Sequence, residues 1–237
     1  MLAQFKNILT HSSIYSFGAI LSKLVSFVMI PVYTRYLNRT AYGTLEIPTL
    51  VATALSLVLS LRAASGLERF YHDCRTLKEK NALVSTVAIF SLATGVVAFL
   101  CLLPFTGPLG VALLEGSEYS FHFKLVFLAL AFELCYSIGY SFLRVRQQSV
   151  FFVLISLLQL FLGLVLNIYY VVLTEAGVVG VLYSMVISSG ITACILVGYT
   201  LATVGVVVDF SCLWKVFKFT IPFVPAGFFM FVLNMGD

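Results

Sequence analysis

Charge is scarce in this sequence. Only 10% of its 237 residues are Asp, Glu, Lys or Arg, against about 25% in an ordinary soluble domain. A chain so poor in charge cannot cover a water-facing surface, which excludes a soluble globular domain and leaves no room for a soluble catalytic one. Histidine is limited to His11, His72 and His122, and the cysteines Cys74, Cys101, Cys135, Cys194 and Cys212 are widely spaced. There is no CxxC pair and no Cys/His cluster of ligand spacing, so the expectation is no metal, no disulfide framework and no His-based nucleophile. A Gly-rich phosphate loop ending in Lys-Ser/Thr is also missing, which removes ATP hydrolysis. No loop offers paired carboxylates in a cleft-sized segment, which disfavours a membrane glycosyltransferase. The expected catalytic residues and cofactors are therefore none, and the small net charge of +4 gives no reason to expect nucleic acid as a partner.

What the sequence has in abundance is apolar length. Hydrophobic residues make up 61% of the chain, and a helix needs about 20 of them in a row to cross a bilayer. Segments of that kind run from about Ile14 to Tyr36, Glu46 to Gly66, Ala82 to Pro104, Phe121 to Leu143, Val150 to Thr174 and Gly177 to Val204, and a seventh starts near Val216. The first contains Lys23, is followed by Arg35 and lacks a small-x-small cleavage site, so it is a retained span and not a signal peptide. Residues 1–13 read either as a short interfacial helix, from Leu2, Phe5, Ile8 and Leu9, or as a plain start-transfer flank.

Sorting the cations gives an orientation. Lys6, Arg69, Arg75, Lys78, Lys80, Arg144, Arg146, Lys215 and Lys218 fall on one side of the expected topology, and Arg35, Arg39 and Lys124 on the other. Cations concentrate in short cytoplasmic loops, so the amino terminus and the loops after spans two, four and six are expected in the cytoplasm, with the Gly/Pro-containing stretch Phe105 to Ser120 outside. The fold class is an all-α polytopic membrane protein. Its expected organisation is an N-terminal segment 1–13, a six-helix bundle 14–204, a cytoplasmic linker 205–215 and the opening helix of a second bundle, 216–237. Span seven ends at Asp237 with no polar anchor after it, which reads as a truncation.

Polar residues inside the spans mark the candidate site. Ser12, Ser16, Ala19, Lys23 and Ser26 share one face of span one. An ammonium at a helix centre costs about 2.5–3.5 kcal/mol on translocon scales, so Lys23 is expected to line a cavity, or else to snorkel or pair with an acid. Span two carries Glu46, Thr49, Thr53, Ser56 and Ser60 at steps of three and four; span five carries Ser156, Gln159, Gly163, Asn167, Tyr170 and Thr174. Each stripe suits helix packing taken singly; three of them with a central lysine point to a wet cleft. Arg62, near the inner end of span two, can snorkel or serve the cleft. Glu133 lies mid-span with Tyr136, Ser137, Tyr140 and Ser141 on its side of the helix; it is either an ion-coupling group or the static partner of Lys23. Pro31, Pro222 and Pro225 permit bends.

Three segments carry a family resemblance. In the stretch from Ile14 to Glu46 they are Ile30, Pro31, Thr34, Arg35, Leu37, Tyr42 and Gly43. The second is Ser65-Gly66-Leu67-Glu68-Arg69-Phe70-Tyr71, and the third runs from Phe219 to Asp237. Together they resemble the Wzx-type polysaccharide flippases of the multidrug/oligosaccharidyl-lipid/polysaccharide (MOP) exporter superfamily. The resemblance implies a MATE-like fold of two bundles, of which this chain supplies the first and one helix more. It implies translocation of undecaprenyl-diphosphate-linked oligosaccharide to the outer leaflet for polysaccharide or O-antigen export, by alternating access. It assigns Lys23, Arg35 and Arg62 to diphosphate binding. The stripes offer Ser16, Ser26, Thr49, Thr53, Ser56, Gln159 and Asn167 as polar cavity lining, and Glu133 and Asp237 are the ion-coupling candidates. The implied location is the bacterial inner membrane, as a multi-pass protein. Implied partners are the lipid-linked oligosaccharide, membrane lipids, a polysaccharide polymerase and glycosyltransferases. The competing expectations are a cation-coupled small-molecule antiporter of the same superfamily and a non-transporting fragment or scaffold.

Overall fold

The computed structural model describes residues 39–235 together with Ile20, Phe27, Arg35 and Tyr36. Span one, with Lys23, Ser16 and Ser26, therefore lies outside the described residues apart from those four, and so does Asp237. Among the described residues every regular element is helical. Helix α1 (Arg39–Leu59) and α2 (Ala63–Tyr71) form span two; α3 (Leu77–Leu102) and α4 (Thr106–Leu114) form span three. Helix α5 (Ser120–Val145) is span four, α6 (Ser149–Ile168) span five and α7 (Gly177–Val204) span six. Span seven is broken into α8 (Phe210–Thr220) and α9 (Phe223–Met235).

Among the described residues five helical stretches are long and apolar enough to cross a membrane: Thr40–Tyr71, Leu77–Leu114, Ser117–Val145, Ser149–Leu173 and Gly177–Val204. The pair Phe210–Thr220 and Phe223–Leu233, bent by 50°, can make a further one. This is a multi-pass membrane fold. The stretch 105–120, expected as an outer loop, is largely helical, because Pro108 falls in the first turn of α4, where a missing N–H breaks no helical bond. Pro48 lies inside α1 and removes the donor for the Thr44 carbonyl. The membrane tolerates this where neighbouring hydroxyls bond the adjacent carbonyls, as Thr49 Oγ1 does at Leu45 (3.1 Å) and Glu46 (2.8 Å).

Helix α5 is the bundle's axis: 67% of its spanning window is buried inside the protein, against 17% for α6. It packs on α3, α7, α2 and α1, and small residues set how closely. A Cβ at Gly139 would sit 2.6 Å from Leu196 Cβ, and one at Gly95 2.8 Å from the Ala131 carbonyl. Such close backbone approach, and not hydrophobic exclusion, drives helix association in lipid. Ser91 Oγ adds a hydrogen bond to the Leu134 carbonyl. Large apolar side chains such as Val96, Leu100 and Phe161 stay exposed, as expected where lipid is the solvent.

At the end of the bundle that holds the basic loops, the segment after α7 is strapped to α3. Val207 N–H donates to Ser85 Oγ (2.9 Å), and Thr86 Oγ1 accepts from Asp209 N–H (2.9 Å) and donates to the Val207 carbonyl (3.3 Å). Asp209 then caps α8, accepting from Ser211 N–H and Cys212 N–H. Arg144 of α5 pairs with Glu68 of α2 at 2.7 Å, so the loops after spans two and four meet at one end, as the sorting of cations requires.

Candidate functional site

Span two presents a hydroxyl ladder. Thr49, Thr53 and Ser56 share one face; Thr53 Oγ1 donates to the Thr49 carbonyl and Ser56 Oγ to the Thr53 carbonyl, both at 2.8 Å. Each proton is spent inside the helix, which leaves the oxygen lone pairs as acceptors. Thr53 is exposed and its two neighbours are half-buried. A surface of this kind accepts hydrogen bonds from sugar hydroxyls or from ammonium groups.

The structure brings Gln159 and the span-four polar side chains together. Tyr140 O–H donates to Gln159 Oε1 at 3.0 Å, and the Tyr136 hydroxyl also interacts with Gln159. The Tyr136 and Tyr140 rings meet edge-on, 5.7 Å apart, and Tyr140 rests on Phe152 at 4.9 Å. Glu133, one turn before Tyr136, is exposed at the helix surface. The result is a mid-membrane cluster of one carboxyl, two phenols and an amide. Among the described residues Glu133 has no ion pair.

The rest of the span-five stripe divides. Gly163 faces span six, where a Cβ would lie 3.8 Å from Ser188 Oγ. Asn167 is buried, one residue short of the π-helical turn Tyr169–Leu173. Packing within the bundle accounts for those positions, and only the Gln159 end joins the cluster. Ser141 likewise turns inward, fully buried, and accepts from Arg144 Nη2 at 3.0 Å.

Arg62 is not on the hydroxyl ladder. It caps α2 in the left-handed region, with φ 51° and ψ 29°, directly after Leu61 at φ 45°. From there its guanidinium packs on span seven, where a Cβ at Gly227 would collide with it. Arg35 is an exposed helical residue. The segment Gly66 to Tyr71 is an interhelix clamp. Leu67 is fully buried, Glu68 reaches Arg144, Phe70 meets Phe219 edge-on at 5.6 Å, and Arg69 pairs with Asp73 at 3.0 Å. Sequence periodicity could not find the Glu68 and Phe70 contacts, since both cross between spans; the Arg69–Asp73 pair is a local i,i+4 one. Among the described residues no group of three His, Cys, Asp or Glu side chains is placed to hold a metal ion.

No family model matches the chain, and no curated protein matches its sequence. Solved structures do match its fold. A MATE transporter crystallised in complex with Br-NRF superposes with a TM-score of 0.76 at 18% identity, over 97% of this chain and 56% of that one. The fold is MATE-like. The bent form of the Vibrio cholerae MATE transporter VcmN gives a TM-score of 0.72 at 14% identity, covering 97% of this chain and 55% of that one. A MOP superfamily transporter from Pyrococcus furiosus, described as having a binding pocket of reversed polarity, gives 0.64 at 17% identity, covering 92% and 50%. The chain thus spans about half the length of the MATE-like transporters it matches.

Proposed function

We propose that this chain forms one bundle of a MOP-type transporter that carries undecaprenyl-diphosphate-linked oligosaccharide from the cytoplasmic to the outer leaflet of the bacterial inner membrane. The observation that carries the reading is the cluster of Tyr136, Tyr140 and Gln159 beside Glu133, in a MATE-like bundle whose span two adds an acceptor ladder. Neutral phenols, amides and hydroxyls suit a sugar head that cannot enter hydrocarbon unaided. Lys23 of span one, the central cation in the sequence, supplies the charge for the diphosphate, and a second bundle completes the cleft for alternating access. The fold itself hosts pockets of different polarity, as the Pyrococcus furiosus transporter is described. A glycan polymerase and glycosyltransferases would supply and consume the cargo.

Glu133 supports a second reading. An exposed carboxyl at membrane depth beside two phenols also suits a cation-coupled small-molecule antiporter. The two readings separate in a strain that lacks its lipid-linked oligosaccharide flippase. Expression of the full-length protein restores surface polysaccharide, and Lys23→Ala abolishes export while membrane insertion persists. Undiminished polysaccharide in that variant removes Lys23 from the mechanism. Failure to restore export in strains of every repeat-unit type, with a gain of cation-dependent drug efflux that Glu133→Gln removes, establishes the antiporter instead.

A further inference from the structure

Helix α8 has three faces. At about 100° per residue, Cys212, Leu213, Val216, Phe219 and Thr220 fall in one third of its circumference. That third packs on the protein: Val216 and Thr220 close on Gly66, and Phe219 meets Phe70. The next third holds Phe210, Trp214, Phe217 and the C-cap residue Ile221. Phe217 leans on Phe90 at 4.6 Å, but Phe210 is 76% exposed, Trp214 69% and Ile221 51%. The last third holds Ser211, Lys215 and Lys218, all exposed.

An aromatic ridge this bare marks a surface that something apolar covers. It is continuous with the strap before it, whose backbone bonds to α3 leave the Val206 and Val208 side chains exposed. Position decides the cover. Helix α8 stands at the end of the bundle that holds the basic loops, and an indole and a phenyl beside ammonium groups suit the boundary of a bilayer, where the rings lie among acyl chains and lysines reach the headgroups. Charge then selects the lipid. Helix α8 carries no carboxyl, and Asp209 before it is taken up by Ser211 and Cys212. Lys215 borders a small cleft with Asp73 and Glu79, but Asp73 pairs with Arg69 and Glu79 accepts from Arg75 N–H at 2.9 Å. Among the described residues neither Lys215 nor Lys218 has an ion pair. Two unpaired ammoniums beside an apolar ridge complement a headgroup of net negative charge, whereas a zwitterionic one would bring its own cation against them.

We propose that the exposed side of α8 is a docking surface for an anionic glycerophospholipid of the leaflet at the basic end, with an acyl chain along Phe210, Trp214 and Ile221 and the headgroup at Lys215 and Lys218. It ties the joint between spans six and seven to the charge of that leaflet. The surface is a different place from the Tyr140–Gln159 cluster and from Arg62, and it does not depend on what the transporter carries.

The test uses the purified chain in phosphatidylcholine nanodiscs. Trp214 is the one tryptophan, so its quenching by bromine atoms on acyl chains reports which lipid lies against α8. Dibrominated phosphatidylglycerol and dibrominated phosphatidylcholine are added as separate probes. The expected result is that both quench Trp214 and that the anionic lipid is preferred about fivefold or more, the contribution of one lysine at a charged surface. Lys215→Gln with Lys218→Gln removes most of that preference, Lys215→Arg with Lys218→Arg keeps it, and Lys124→Gln, at the opposite end of α5 from Arg144, leaves it unchanged. Equal quenching by the two lipids overturns the proposal, as does a preference that survives the double Gln variant or falls as far in Lys124→Gln. Quenching by neither lipid also overturns it, since protein, such as a second copy of the chain, then covers the ridge. If the double Gln variant fails to fold, an unchanged preference in Lys218→Gln alone overturns it.

Discussion

At Gly66 the junction of spans two and seven closes against helix α8. A Cβ there would lie 2.6 Å from Val216 Cγ1 and 2.7 Å from Thr220 Cγ2, whereas a Cβ at Gly43 meets nothing within 4 Å. Both are helical, so both replacements gain about the same helix propensity, roughly 1 kcal/mol. Overpacking, at about 1–3 kcal/mol, decides the sign at Gly66 only. Gly66→Ala is expected to lower the unfolding temperature of the purified protein and Gly43→Ala to leave it unchanged or raise it. Asp209 gives a pH signature at the same scale. Hydrogen bonds from Ser211 first, and then Cys212, hold its carboxyl below the ordinary aspartate range. Its folded value is thus lower than its unfolded one, so its contribution is complete above the ordinary aspartate value and fades as pH falls through the folded value. Unfolding temperature measured against pH should drop on the acid side, and less steeply in Asp209→Asn, whose amide oxygen still caps α8 without titrating.

Elements show what pattern can and cannot reveal. Spans two to six follow from apolar length alone, because the bilayer fixes how many residues a helix must devote to crossing. The placement of Gln159 beside the span-four tyrosines is legible only in part. Periodicity puts Tyr136 and Tyr140 on the Glu133 side of α5, but which side of α6 faces them depends on Gly163 and Asn167 packing into the bundle. The kink after Leu59 carries no Gly or Pro to announce it. Leu61 and Arg62 both adopt positive φ, which costs a non-Gly residue on the order of 1–3 kcal/mol, and the kink persists because Ala63, Gly66 and Leu67 are buried against α5 and α8. Leu61→Gly should therefore leave the unfolding temperature unchanged or raise it, and Leu61→Val should lower it by the equivalent of about 1–2 kcal/mol. The same result for both substitutions would contradict the left-handed geometry.

At the scale of the whole molecule, the basic end and the middle do different work. The basic end ties spans two, four and seven together through Glu68–Arg144, Gly66 and Arg62. The middle holds the phenol–amide cluster and the hydroxyl ladder, the groups that the proposed transport role uses. The central claim is that this middle recognises a lipid-linked oligosaccharide. Its most direct test is equilibrium binding to the purified chain in lipid nanodiscs, comparing undecaprenyl-diphosphate oligosaccharide with a hydrophobic organic cation. The expected result is saturable binding of the oligosaccharide lipid, weakened several-fold by Tyr140→Phe, in which about 1 kcal/mol of hydrogen bonding is lost, and abolished by Lys23→Ala. Saturable binding of the cation with none of the oligosaccharide lipid would contradict it.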